Sequence, residues 1–330
     1  MDRIICIGSS TKDVIFPMSD GAVTDTPEDL ECQKKISFEL GAKYQLAGGR
    51  HESIGGCAAN VACGLARLGI GTFCCTRMGS DQAGKWIKDG LEKNGVATDL
   101  VQMDGNCRSD LSFILAHIPS EDRIIFSDRD ANEKLEVLPD EIRKIPAEWF
   151  FVSSLNGNED ESWEIKLDKI LELVREGGKK MVFNPGQKNI KKNPQKVIEG
   201  TRQAQILIVN KDEAIEIVEK SGDFDSDSLN DEKFLAEKLN ALGAQIVALT
   251  DGARGAWGFD GKEFLHIAAR KEKVADTLGA GDAFSSGFIA AQMKGRNLEE
   301  CLRWGIANSS SVVNFYGAIE GLLDEKKILA

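Results

Sequence analysis

The sequence predicts an α/β protein, a three-layer domain on a parallel β-sheet with a small second β-sheet beside it. Three observations carry this. Short apolar runs alternate with amphipathic helical patterns along most of the chain, the order that covers both faces of a parallel sheet with helices. Two segments, about 14–54 and 98–130, break that rhythm. The 330 residues, 42% of them hydrophobic, suffice for a large core. We expect one domain over 1–330 with both segments inside it.

Arg3 to Ile7 reads as a buried strand, and Gly56 to Leu68 carries apolar residues at helical spacing. Gly71 to Arg77 is strand-like, and Asp81 is an N-cap candidate for a helix running to Lys93. Later strands are expected at Trp149 to Val152, Met181 to Phe183, Ile206 to Val209 and Ile246 to Leu249. Helical patterns separate them at Trp163 to Arg175, Lys211 to Lys220 and Asp231 to Leu242. The two irregular segments contain β-like alternation, as in Lys35-Ile36-Ser37-Phe38 and Ser112-Phe113-Ile114-Leu115, without room for a helical crossover. A small sheet over the strand ends would form a lid. Its exposed strand edges favour a homodimer formed lid to lid.

A formal net charge of -12 gives no affinity for a polyanionic backbone, so nucleic acid is not an expected partner. The N-terminus opens directly into a strand-like run, without the pattern of a signal peptide. No apolar run is long enough to span a bilayer. The eight cysteines form no Cys-x-x-Cys pair. They read as reduced thiols of a cytoplasmic protein.

The most informative stretch is Asp276-Thr277-Leu278-Gly279-Ala280-Gly281-Asp282, followed by an apolar helical run. Gly279, Ala280 and Gly281 leave backbone N–H groups unobstructed at a helix N-terminus, where the dipole favours negative charge. That is an anion hole for a phosphate. Asp282 beside it can accept the proton of an attacking hydroxyl. One segment thus supplies charge stabilisation and a base, the needs of phosphoryl transfer. Upstream, Gly55-Gly56 opens a second helical run containing Asn60. The two glycines allow close ligand approach, and the Asn60 amide suits a hydroxyl. Neither a Walker A string nor a dinucleotide fingerprint is present.

These two strings resemble the C-terminal and N-terminal signatures of the ribokinase-like carbohydrate kinases, also called the phosphofructokinase B family. The resemblance spans the chain and implies the ribokinase-like fold and an ATP-dependent kinase acting on a hydroxyl of a small sugar-like substrate. It implies ATP as co-substrate with Mg²⁺, and it admits a monovalent cation. By resemblance, Asp13 in Gly8-Ser9-Ser10-Thr11-Lys12-Asp13 grips sugar hydroxyls. Asn210-Lys211-Asp212-Glu213 matches the motif linked to Mg²⁺ and phosphate, with Glu213 acting through a water. Thr250 and Gly252 would meet ATP phosphates, with Arg254 either a phosphate neighbour or a solvated residue. Asn308 would line the adenine pocket. Arg129, or alternatively Arg123, is the substrate-contact candidate of the second irregular segment.

Two departures bear on the substrate. Ribokinases proper have Lys-Gly after the glycine pair, where this chain has Cys57-Ala58. The strand at Phe151-Val152-Ser153-Ser154 lacks the glutamate they use against the sugar. Ribose is therefore not the expected acceptor. With no counterpart of the phosphosugar-kinase lid motif, neither is a 6-phosphate. Lid segments of this length also fit nucleoside kinases of the family, so a nucleoside such as adenosine is the alternative acceptor. A catalytically silent sugar-binding regulator is a further alternative, against which intact Asp282, Asn210 and Glu213 speak.

Overall fold

The structure is a computed structural model that describes residues 3–26, 28, 34–120 and 122–329. Cys32 lies outside them; the other seven cysteines are free thiols. The strands in chain order are β1 (Arg3–Ile7), β2 (Thr11–Met18), β3 (Ala22–Asp25), β4 (Lys34–Ser37), β5 (His51–Gly55), β6 (Gly71–Gly79), β7 (Val101–Asp104), β8 (Leu111–His117) and β9 (Asp122–Asp128). They continue as β10 (Trp149–Val152), β11 (Lys180–Phe183), β12 (Ile206–Asn210), β13 (Ile246–Thr250), β14 (Ala256–Phe259) and β15 (Phe264–Ile267).

The main sheet has the order β15-β14-β13-β12-β11-β10-β1-β6-β7. From β13 to β7 every pairing is parallel; β14 and β15 add an antiparallel hairpin at one edge. Alternation along the central strands splits the core into two layers. Ile4, Cys6, Trp149 and Phe151 pack under the helices Cys57–Arg67, Ala280–Met293 and Leu298–Val312. Ile5, Ile7, Phe150 and Val152 pack under the helices Trp163–Gly177, Pro194–Arg202, Lys211–Glu219 and Glu232–Ala241. A strand buried on both faces reads as a continuous apolar run, which is how β1 and β10 appear in the sequence.

The chain leaves β1 for β6 on one side and later builds β10 on the other. In open α/β sheets ligands sit at the carboxyl ends of the strands beside such a reversal. The turn after β1 leads there into the small sheet, β5-β2-β8-β9. In it β2 and β8 run parallel, flanked by antiparallel β5 and β9. The hairpin β3–β4 stands apart from it.

Sequence and structure differ in one assignment here. Val101–Asp104, inside the second segment expected to project, is the edge strand of the main sheet. The reason is the length of β6: its first half pairs with β1, and Thr76 to Gly79 run on past β1 and pair with β7. The small sheet's share of that segment begins at Leu111, and its share of the first begins at Thr11.

Candidate active site

The helix Ala280–Met293 starts at Gly279, whose φ of 73° is a left-handed conformation. A Cβ there would lie 2.5 Å from the Cα of Ala318, so only glycine fits. Asp276 Oδ1 accepts from the N–H of Leu278 at 2.9 Å and shapes the turn. The N–H of Ala280 donates to Thr277 O at 3.3 Å, and the first helical bond runs from Ala283 to Gly279. Helix geometry then leaves the N–H groups of Gly281 and Asp282 without a helical partner. Of the expected donor trio Gly279, Ala280 and Gly281, the Ala280 N–H is taken within the turn, and the Asp282 N–H is a further donor. Nothing crowds Gly281: a Cβ there would meet no atom within 4 Å.

Asp282 is half-buried beside those donors. Asn60 Nδ2 donates to its Oδ2 at 2.7 Å, and the Cys57 thiol donates to the same carboxylate. Burial pushes the carboxyl up to about 6, against the pull of these two donors and with the charge of Asp13 adding to the rise. In turn the Asp282 charge, then burial, pushes the Cys57 thiol up. Asn60 is buried, and its Oδ1 has no partner.

The glycine pair brings the other end of the site into place. Gly56, with φ of 90°, precedes the helix Cys57–Arg67. A Cβ on it would lie 2.6 Å from Ser9 O, in the turn after β1. A Cβ on Gly55 would lie 1.9 Å from Asp13 Oδ2. The Asp13 carboxylate thus rests on bare backbone. Thr11 Oγ1 donates to Asp13 Oδ1 at 2.7 Å. Burial raises the Asp13 carboxyl, hydrogen bonds from Thr11 and Ser112 and the charge of Arg129 oppose this, and Asp276 adds to it.

Arg129 reaches the same end from the exit of β9. Its Nη2 donates to Ser127 Oγ at 3.3 Å and approaches Ser112 Oγ at 3.5 Å, and its Nε lies 3.8 Å from Asp110 Oδ2. Its Nη1 is buried without a partner. Arg123, the alternative candidate, donates to Thr277 Oγ1. Sequence reasoning gave no site role to Asp110 or Cys57 and named Asn132 only within the substrate-contact run Arg129-Asp130-Ala131-Asn132. Asn132 is buried and binds Ser10 through both ends of its amide, accepting from the N–H at 3.1 Å and donating to the carbonyl at 2.6 Å. Asp110 Oδ1 accepts from the N–H groups of Asp130 and Asn132. The available signal was an Asx residue at each boundary of the small sheet.

Further along the strand ends, Asn210 and Thr250 are partners in the parallel register of β12 and β13. Asn210 and Glu213 form a capping box, with Glu213 N–H to Asn210 Oδ1 at 2.8 Å and Asn210 N–H to Glu213 Oε2 at 3.0 Å. Burial raises the Glu213 carboxyl, opposed by backbone donors. Gly252 adopts φ of 44° in a short 3₁₀ turn after β13. Arg254 pairs with Glu232 and with Asp251 at 3.3 Å, which makes it an exposed ion pair. Asn308 departs from expectation. It is fully enclosed, its Nδ2 donates to Ala283 O and Ser286 Oγ at 3.0 Å, and its Oδ1 accepts from Leu323 N–H at 2.9 Å. Its amide ties two helices together and has nothing left for a nucleotide.

These residues fit a nucleotide and a hard cation. Helix N-terminal N–H groups, Asn210 and the open turn at Gly252 lie along one edge of strand ends, as a polyphosphate needs. Among the described residues no three His, Cys, Asp or Glu side chains form a metal cage. Glu213 is one carboxylate beside the expected phosphates, the sparse protein contribution that Mg²⁺ usually takes.

The chain is 26% identical over 280 residues to a 5-dehydro-2-deoxygluconokinase of Bacillus licheniformis, covering 82% of this chain and 83% of that one. It is 28% identical over 280 residues to a cytidine kinase of Thermococcus kodakarensis, covering 80% and 88%. Its fold matches the structure of Arabidopsis thaliana ribokinase complexed with ribose and ATP, with a TM-score of 0.76, 21% identity and coverage of 99% of this chain and 97% of that one. The family model of pfkB carbohydrate kinases matches residues 32–325. With the glycine-led helix start, its carboxylate and the second glycine pair on the same cleft, the chain belongs to the pfkB family of carbohydrate kinases.

Proposed function

We propose that this kinase transfers the γ-phosphoryl group of ATP to a hydroxyl of a small sugar or sugar-like acceptor, with Asp282 as the base. The observation that carries the reading is the bond of 2.7 Å from Asn60 to Asp282 at the open helix N-terminus. It aims a carboxylate that burial has raised to about 6 at the point where backbone N–H groups await negative charge. Such a carboxylate is ionised at neutral pH yet close enough to it to accept a proton well. The N–H groups of Gly281 and Asp282 stabilise the charge of the transferred group.

Asp13, resting on Gly55, and the Oδ1 of Asn60 accept from acceptor hydroxyls, and Arg129 donates to an acceptor oxygen. Asn210, Thr250 and Gly252 hold the phosphates of ATP. Glu213 would help hold Mg²⁺ near those phosphates, and the ion would supply neutralisation of their charge. A monovalent cation is compatible with the free, buried Oδ2 of Asp276. The small sheet acts as a lid, and Arg123 on Thr277 couples it to the helix start. The names of the relatives, a deoxygluconokinase and a cytidine kinase, span different acceptor skeletons, so a nucleoside remains the second reading. The seven free thiols support a cytoplasmic setting. No helix among the described residues is long and apolar enough to cross a membrane.

The test is Asp282→Asn. It keeps size and helix start but cannot take the proton. Turnover should fall by about 10²–10⁴-fold, while acceptor and ATP still bind. Near-normal turnover would remove Asp282 as the base.

A further inference from the structure

We propose that the acceptor is uncharged, a polyol or nucleoside rather than an aldonate or a phosphate ester, and that Asp110 sets this preference by neutralising Arg129. The inference rests on the kinase reading and narrows its substrate.

The acceptor end is rich in acceptors and poor in free cations. Asp13 is buried on one wall, and Asp282 stands at the reacting end. Asn60, whose Nδ2 is bound to Asp282, carries a buried, unpartnered Oδ1. Cys57 stands beside Asp282, where a lysine would bring positive charge; it is a neutral thiol that donates to the base. Arg129 is the arginine that reaches this end, and its charge is already answered. Its Nε lies 3.8 Å from Asp110, whose side chain is fully enclosed. Arg123 is engaged on Thr277, and Lys12 is bound to Glu52 at 2.7 Å.

What remains of Arg129 is one buried donor group, Nη1 with its two N–H bonds, without a partner. The pocket therefore offers carboxylate and amide acceptors for hydroxyl hydrogens and one donor group for an ether, hydroxyl or carbonyl oxygen. That set complements a vicinal diol next to a neutral oxygen. A carboxylate or phosphate would set its charge against Asp13 and Asp282, with Arg129 already paired to Asp110 and Arg123 held on the Thr277 hydroxyl. Like charges brought together in a desolvated site discriminate strongly against the wrong ligand.

The experiment compares matched sets for melting-temperature shift and for ATP-dependent turnover. The sets are ribose, ribonate and ribose 5-phosphate; glucose, gluconate and glucose 6-phosphate; and cytidine with cytidine 5′-monophosphate. In any set that binds, the neutral member should be favoured by about 100-fold. Asp110→Asn keeps an Oδ1 for the Asp130 and Asn132 N–H groups and frees the charge of Arg129. It should raise the anion-to-neutral affinity ratio by about tenfold. If that variant does not fold, Arg129→Gln should weaken the neutral acceptor by about tenfold through the lost donor. Preference for an anion, an unchanged ratio in folded Asp110→Asn, an unchanged affinity in Arg129→Gln, or no binding of any neutral member overturns the proposal. Binding of neutral acceptors with phosphorylation of none would sink the kinase reading and leave the charge preference standing.

Discussion

At the scale of single residues, Asp282 is held by donors from Asn60 and Cys57 and also stripped of water, and the loss of water dominates, leaving its carboxyl at about 6. As a base it must be ionised, so turnover should rise with pH through about 6 and level off above. The stability consequence has the opposite sense. An unfolded aspartate ionises near ~3.9, so charging this carboxyl costs the native state more than the unfolded one as pH rises. The protein is relatively more stable where Asp282 stays protonated, and it loses that advantage as pH climbs through the native value. Asp282→Asn removes the cost. At pH 8 the inactive variant should be more stable than the wild type, by at most about 3 kcal/mol. In denaturant titrations the gap should be nearly constant above about pH 6.5 and shrink as pH falls from about 6 towards ~4. A variant less stable at pH 8 would mean that the bonds from Asn60 and Cys57 outweigh desolvation.

Elements show how one arrangement can serve both structure and function. The helix Lys211–Glu219 begins with the reciprocal bonds of Asn210 and Glu213, which satisfy two otherwise orphaned N–H groups. Two substitutions separate the roles. Glu213→Gln retains the box, because glutamine also accepts from the cap N–H, so the denaturation midpoint should barely move while the Mg²⁺ needed for half-maximal rate rises. Asn210→Ala breaks the cap and should cost about 1 kcal/mol in stability. An unchanged Mg²⁺ titration in Glu213→Gln would leave Glu213 as a cap alone. The β6 strand makes the complementary point. Its local pattern shows a strand, but only its overhang past β1 determines that Val101–Asp104 joins the main sheet.

The whole molecule presents an apolar face that the described residues leave partly exposed. Leu111 and Phe113 on β8 and Ile124 and Phe126 on β9 share one side of the small sheet, with Phe113 opposite Phe126. Phe126 is 55% exposed, and its ring centroid lies 5.6 Å from that of Phe113. A contiguous apolar patch on a sheet face is a common interaction surface. We expect two copies to pair through it, so light scattering should report a dimeric mass that Phe126→Lys reduces to a monomeric one. A monomeric wild type at the same concentration would remove the lid-to-lid assembly.

The sequence by itself determined the alternation of strands and helices, the glycine-led helix start before Asp282 and the capping signal at Asn210. Each is a local property: a left-handed turn at Gly279 or a side chain that caps its own helix needs only its neighbours in the chain. The tertiary structure decided what these pieces meet. Asn60 and Asp282 are separated by 222 positions and share one hydrogen bond. Asp13 lies on Gly55 because β2 pairs with β5. Asp110 answers Arg129 only where the ends of the small sheet converge. Asn308 looked like a pocket residue among small neighbours, and the packing of its helix against Ala280–Met293 spent its amide on structure. Long-range partners depend on how whole elements dock, and docking is set by summed packing that no local pattern records.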